Sequence, residues 1–178
     1  LDLSNNTSLT FLNCQRNNLT SLDLSNNTSL TELFFGKNNI SNLDLSSNIL
    51  LEDFTCIESS LTSIDLSQNT ALKLLNFSNN TQLNNLDFRN GNNTNINHLN
   101  GYYDDTSLTV NNNPNLNCIS VDDAIWSVAN WPLGLTDEKY NNIIIDTTIS
   151  FSDDCDALVA AAPKTYVPDD NFEAYLEA

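Results

Sequence analysis

Apolar and polar positions alternate along this chain in a pattern that repeats. Laid against itself at a shift of 21 residues the sequence falls into register: LDLSNNTSLT at Leu1 returns from Leu22, LDLSSNILLE follows from Leu43 and IDLSQNTALK from Ile64. Inside that period lies a finer unit of form L-x-x-L-x-L-x-x-N. One half of each turn reads Leu9, Leu12, Cys14, Asn17, then Leu30, Leu33, Phe35, Asn38, then Leu51, Phe54, Cys56, Ser59, then Leu72, Leu75, Phe77, Asn80. The other half reads Leu19, Leu22, Leu24, Asn27, then Ile40, Leu43, Leu45, Asn48, then Leu61, Ile64, Leu66, Asn69. A period of this length points to a solenoid. The L-x-L pair alternates with period two, so both side chains lie on one face of a short strand.

Two such strands per turn must aim their apolar residues at each other, which predicts a flattened coil with two parallel sheets about 10 Å apart. A single coil cannot bury its inner face. Stacking coils at about 4.8 Å buries all the apolar positions, and at roughly 1.5–3 kcal/mol per aliphatic side chain this offsets backbone entropy once three or more coils stack. The Asn that ends each unit turns the chain, and its amide can bond backbone groups left unpaired by the turn. Asn17, Asn38 and Asn80 are expected to form one ladder, and Asn27, Asn48 and Asn69 another. Ser59 interrupts the first, and Gly91 stands in the equivalent place after Phe88.

The regular pattern covers residues 1 to 88, is weaker to about 118, and resembles a bacterial leucine-rich repeat array of a short 21-residue variety. The resemblance implies a leucine-rich repeat solenoid, mostly parallel β with two short-stranded sheets per coil and little helix, closed by a small α/β C-terminal cap. Spacing then stretches across GNNTNINHLNGYYDD, so the coils around Ile96, Leu99, Leu108 and Val110 should be irregular, with a bulged loop near Gly91 to Asn95. The expected organisation is an array over 1–113, a cap over 114–155, a linker over 156–165, and over 166–178 the start of a following repeat domain.

An open end of a parallel sheet invites association, so a solenoid needs a cap. In PNLNCISVDDAIWSVANW, Ser120 is a candidate helix N-cap with Asp122 and Asp123 in the first turn. Ala124, Ile125 and Val128 would share its packed face, and Trp126 and Trp131 are large enough to lid the last coil. A short helix is expected over 136–140, then an extended NIIIDTTISF. This region is similar to the caps of secreted bacterial leucine-rich repeat proteins, in which C-I-x-V-D-D precedes I-D-x-x-x-x-F-S-x-x-C, here Cys118 to Asp123 and Ile145 to Cys155. That likeness implies a Cys118–Cys155 disulfide and an oxidising, extracellular or cell-surface setting. Cys14 and Cys56 share a buried column two coils apart, about 9.6 Å, too far for a bridge, and read as core thiols. The segment ending VPDDNFEAYLEA resembles the helix that opens a fresh array in the same proteins. The chain therefore reads as a monomeric part of a longer one.

Composition narrows the function. Of 178 residues 32 are Asn, which matches a structural repeat of that amide, and the net charge is -17. Six basic residues spread over the chain cannot form a phosphate-binding patch, so nucleic acid is not an expected partner. No apolar run approaches the roughly 20 residues of a membrane span. No Ser or Cys has a positioned His, no metal triad is evident and there is no phosphate loop, so neither catalysis nor a cofactor is expected. His98, the only histidine, reads as an exposed loop residue, and no C-x-x-C pair suggests zinc.

Binding is the remaining class. The outward positions of the first sheet mix apolar and polar groups: Phe11, Asn13 and Gln15; Glu32, Phe34 and Gly36; Asp53, Thr55 and Ile57; Leu74, Asn76 and Ser78, flanked by Arg16, Lys37, Glu58 and Lys73. Phe11, Phe34, Ile57 and Leu74 have no core to enter, which suggests a face for a protein ligand, although scattered exposed hydrophobes need no partner. The second sheet instead presents Ser, Asn and a column of Asp2, Asp23, Asp44, Asp65 and Asp87. Neighbouring carboxylates at that spacing repel by about 1 kcal/mol in water, to be relieved by hydroxyls, amides, solvent or a bound cation such as Ca²⁺. These rows suggest a carbohydrate-binding or adhesion surface as an alternative. A passive spacer within a multi-domain surface protein is a third reading.

Overall fold

The computed structural model describes residues 1–96, 108–131 and 143–155. It is a mostly parallel-β repeat solenoid. A six-stranded sheet holds β1 (Phe11–Asn13), β2 (Glu32–Phe34), β3 (Asp53–Thr55), β5 (Leu74–Asn76), β7 (Leu108–Val110) and β9 (Ile143–Ile145) in that order, each parallel to the next. A four-stranded sheet faces it, ordered β10 (Ser150–Ser152), β8 (Cys118–Ser120), β6 (Asn85–Asp87) and β4 (Ser63–Asp65). Register follows the repeat: Leu12 pairs Leu33, Leu33 pairs Phe54, and Phe54 pairs Leu75.

The inward positions are those the period assigns. Leu30, Leu33, Phe35, Leu51, Phe54, Cys56, Leu72, Leu75 and Phe77 are fully buried, and Leu22 and Leu43 point into the same core from the other side. Leu3, Leu9, Leu12 and Leu19 in the first coil are only partly buried. The second sheet starts later than the first. The rows around Leu22–Leu24 and Leu43–Leu45 keep the inward and outward alternation but form no ladder, and strand pairing on that side begins at β4.

Both Asn columns form, with different chemistry. Asn38 donates to the Cys14 carbonyl of the preceding coil at 2.9 Å and accepts the Leu19 N–H at 3.2 Å. Asn80 donates to Cys56 O at 2.8 Å and accepts from the Ser59 N–H and hydroxyl at 2.8 and 2.7 Å, so Ser59 joins the ladder as a donor. Asn113 continues it, bonding Phe77 O and taking the Asn80 N–H, and Asp146 accepts the Asn113 N–H. In the second column Asn27, Asn48 and Asn69 each donate to two carbonyls of the coil before. Asn90 then takes the place expected of Gly91, donating to Asn69 O at 2.9 Å. The reason is one extra residue at Thr81–Gln82, made good by one fewer after Phe88.

The described residues of 114–155 add β8, β9 and β10 to the two sheets, and a helix, α1 (Ala124–Asn130). Its N-cap is Asp123, whose side chain accepts the Trp126 N–H at 2.9 Å, not Ser120, which ends β8. The helix is also rolled relative to expectation: Ile125 and Val128 are 86% and 63% exposed, while Ser127 is buried and Ala124 and Trp126 pack against the core. Trp131 decides that orientation. It is fully buried, stacked on Phe88 at 6.2 Å and edge-on to Phe151 and Trp126. Cys118 and Cys155 are disulfide-bonded with Cα atoms 5.9 Å apart, and Cys14 and Cys56 are buried free thiols. Near Gly91 the expected bulged loop is a 3₁₀ turn over Asn93–Asn95, held by Asp122, which accepts the N–H groups of Gly91 and Asn93. Leu99, His98, the helix expected over 136–140 and the whole of 156–178 lie outside the described residues.

Candidate functional site

Strands β1, β2, β3 and β5 present their outward side chains as four adjacent rows. Phe11 is half exposed and Phe34 half buried, with ring centroids 5.6 Å apart and planes tilted by 43°. Asn13 and Glu32 are exposed beside them, since Phe11 pairs with Glu32 and Asn13 with Phe34 across β1 and β2. Gln15, Asp53, Ile57, Leu74 and Asn76 are half buried. Thr55 is buried, its hydroxyl turned to Asp53 Oδ1 at 3.4 Å, and Ser78 is buried with its hydroxyl on Asn76 Oδ1 at 2.7 Å. The accessible apolar part of the face is therefore concentrated on β1 and β2, and Leu74 and Asn76 lie two strands away.

Just past β1, β2, β3, β5 and β7 the chain enters a left-handed residue, in turn Arg16, Lys37, Glu58, Asn79 and Asn112, with φ between 54° and 62°. Each precedes the ladder residue of its coil. The conformation brings their side chains into one column at the lip of the sheet. Lys37 Nζ meets Glu58 Oε1 at 3.0 Å, and Asn112 donates to Asn79 Oδ1 at 3.1 Å. At the other end of the strands, one residue before β5 and β3, Lys73 pairs with Glu52 at 2.7 Å. Between Arg16 and Lys37 the lip opens into a notch of about 150 Å³ lined by Gln15, Arg16, Gly36, Lys37, Ile57 and Glu58. Gly36 makes it possible, because a Cβ there would run into the Ile57 backbone. The flanking charges are readable in the sequence; their convergence is not, because nothing local marks Arg, Lys or Glu as left-handed. The Asn at 79 and 112, at the same place in the repeat, was the available signal.

The opposite face is regular. Asp2, Asp23, Asp44, Asp65 and Asp87 each accept the backbone N–H two residues on, at 2.8–3.1 Å. These turns relieve part of the expected repulsion. At Asp2 and Asp44 the backbone N–H of the following Ser, then its hydroxyl, hold the carboxyl below its ordinary range; at Asp23 the Ser25 hydroxyl leads and its N–H follows. Asp87 also pairs with Arg89. A shallow groove of about 270 Å³ lies between the Asn42–Ser46 row and β4, with Asp44 and Asp65 in its wall, where the strand ladder is missing. Among the described residues no three His, Cys, Asp or Glu side chains converge as metal ligands, and no helix is long and apolar enough to cross a membrane.

No family model matches the chain, and no curated protein matches it. Among solved structures, the functional domain of InlJ from Listeria monocytogenes, described as including a cysteine ladder, is similar over 85% of this chain at 23% identity and a TM-score of 0.46, and the chain spans 37% of that structure's length.

Proposed function

We propose that this chain is a non-catalytic binding module of a secreted or cell-surface leucine-rich repeat protein, and that the outward face of the first sheet receives a protein ligand. The observation that carries the reading is the Phe11–Phe34 pair, two aromatic rings in contact on a solvent-facing sheet whose other outward positions, half-buried Ile57 and Leu74 apart, are small or polar. Aromatic anchors of this kind hold a disproportionate share of interface energy. The Cys118–Cys155 bond supports an oxidising compartment. The proposed organisation keeps 1–113 as the array, 114–155 as the cap, and the remainder as linker and start of a following domain.

A photo-crosslinking residue placed at Phe34, compared with one at Asp44, tests the face against a panel of purified extracellular proteins. Adducts should form from position 34. The captured protein should then bind the Phe11→Ser/Phe34→Ser double variant about 10- to 100-fold more weakly, at unchanged melting temperature. Equal capture from position 44, or unaltered affinity of the double variant, would refute it. The glycan reading rests on the other face, where Asp2, Asp23, Asp44 and Asp65 are held in fixed turns beside rows of Ser. A glycan array read with the Asp23→Asn/Asp44→Asn variant separates the two.

A further inference from the structure

The notch at the lip of the first sheet has a charge balance unlike the rest of the surface. Four basic residues lie among those described: Lys37, Lys73 and Arg89 are each within ion-pair distance of a carboxylate, and Arg16 is not. The guanidinium of Arg16 makes no hydrogen bond or ion pair to any described residue, on a chain whose net charge is -17. The notch thus holds Arg16, the Lys37–Glu58 pair and the Gln15 amide, a formal surplus of one positive charge.

Backbone conformation gives a second, independent line. In the two later coils the left-handed residue at this place is Asn, the non-glycine type that tolerates it best. In the first three coils, around the notch, it is Arg16, Lys37 and Glu58, which lack that short polar side chain and are disfavoured there. A local preference is overridden where the notch is and respected where it is not, which is the pattern expected of a functional site. Gly36 adds a third element, since only a residue without a Cβ lets the Ile57 backbone of the next coil close against it and form the floor of the notch.

We propose that this notch takes one carboxylate side chain of the protein ligand, two residues along an extended segment from an apolar side chain that covers Phe11 and Phe34. The inference rests on the first-sheet face being the binding surface. Arginine's planar fork matches a carboxylate bidentately. Gly36 lies two residues beyond Phe34, the last residue of β2, about 7 Å on if the backbone stays extended, the same-face spacing of residues i and i+2 in an extended peptide lying alongside. The ligand segment carries a single acid and not an acidic run, because Glu32, Glu52 and Asp53 flank the face and screening confines the attraction to about 8 Å at physiological salt.

The test uses two capped peptides of equal shape, acetyl-Phe-Gly-Asp-amide and acetyl-Phe-Gly-Asn-amide, titrated into the isotopically labelled 178-residue chain. NMR shifts at the Gly36 amide, Arg16 Nε–H and Ile57 report the notch, and the rings of Phe11 and Phe34 report the apolar end. The Asp peptide should bind about fivefold more tightly than the Asn peptide, and Arg16→Gln should bring that ratio to about one with an unchanged melting temperature. Equal binding of the two peptides, an unchanged ratio in Arg16→Gln, or no shift at Gly36 and Arg16 would overturn the carboxylate site. If the Phe11 and Phe34 rings still responded in that case, the face itself would stand. Shifts at the notch with none at the two rings would overturn the two-point geometry.

Discussion

Replacing Asn80 by Ala isolates what the amide ladder contributes. The Asn80 side chain is fully buried and, besides a longer bond to the Ser78 carbonyl at 3.4 Å, serves three groups at once: the Cys56 carbonyl accepts from its Nδ2 at 2.8 Å, and the Ser59 N–H and hydroxyl donate to its oxygen at 2.8 and 2.7 Å. Alanine leaves all three in the stack without that partner. A buried polar group without a partner costs roughly 1–3 kcal/mol, and the Ser59 hydroxyl can rotate to another acceptor, so the expected loss is about 3–6 kcal/mol. That is a large fraction of a typical domain's roughly 5–15 kcal/mol. Asn17→Ala is the matched control. Asn17 stands at the same place in the first coil, but it is exposed and bonds only the Cys14 and Gln15 carbonyls of its own turn. Water replaces those bonds, and the expected cost is about 0.5 kcal/mol or less. Urea unfolding followed by the fluorescence of buried Trp131 and by far-UV circular dichroism measures both, provided the two probes coincide. A loss below about 1 kcal/mol for Asn80→Ala, or an equal loss for Asn17→Ala, would show that the ladder is not what holds coil to coil.

Acid should weaken the fold through the second face. Asp2, Asp23 and Asp44 have carboxyls held below their ordinary value by the Ser N–H and hydroxyl two residues on, so they release protons more readily folded than unfolded. Their contribution is complete above the usual Asp value of about 4 and is lost as pH falls through the depressed folded values. Asp23→Asn/Asp44→Asn, which keeps an acceptor oxygen for each turn, should flatten the fall of the urea midpoint as pH drops below the ordinary Asp value of about 4. An unchanged slope would refute the assignment. The cysteines give a separate check by mass spectrometry after alkylation. The native protein should take up no label, because Cys14 and Cys56 are buried and burial pushes the Cys56 thiol up to about 12. Unfolding without reductant should expose those two alone, and four labels would refute the Cys118–Cys155 bond. Cys118→Ser/Cys155→Ser should cost about 4 kcal/mol for a link that closes a separation of 37 residues.

Much of this molecule is written in its one-dimensional pattern. The period-two pairs within a 21-residue repeat place Leu33, Phe54 and Leu75 inside, and the terminal Asn of each unit places Asn38 and Asn80 on a ladder, because strand alternation and turn chemistry are local rules. The Cys118–Cys155 bond was reached through resemblance of the cap, not through spacing. Other features needed the stacked structure. Asn90 replaces Gly91 on the ladder because an insertion and a deletion cancel only when coils are superposed. The roll of α1, which leaves Ile125 exposed, is set by Trp131 wedged between Phe88 and Phe151, since in seven residues the apolar positions alone cannot choose a face. The notch around Arg16 and Gly36 is likewise tertiary. It exists because consecutive coils press the Gly36 and Ile57 backbones together and turn Arg16, Lys37 and Glu58 left-handed, and those are consequences of contact between residues 21 apart, beyond what any single repeat encodes.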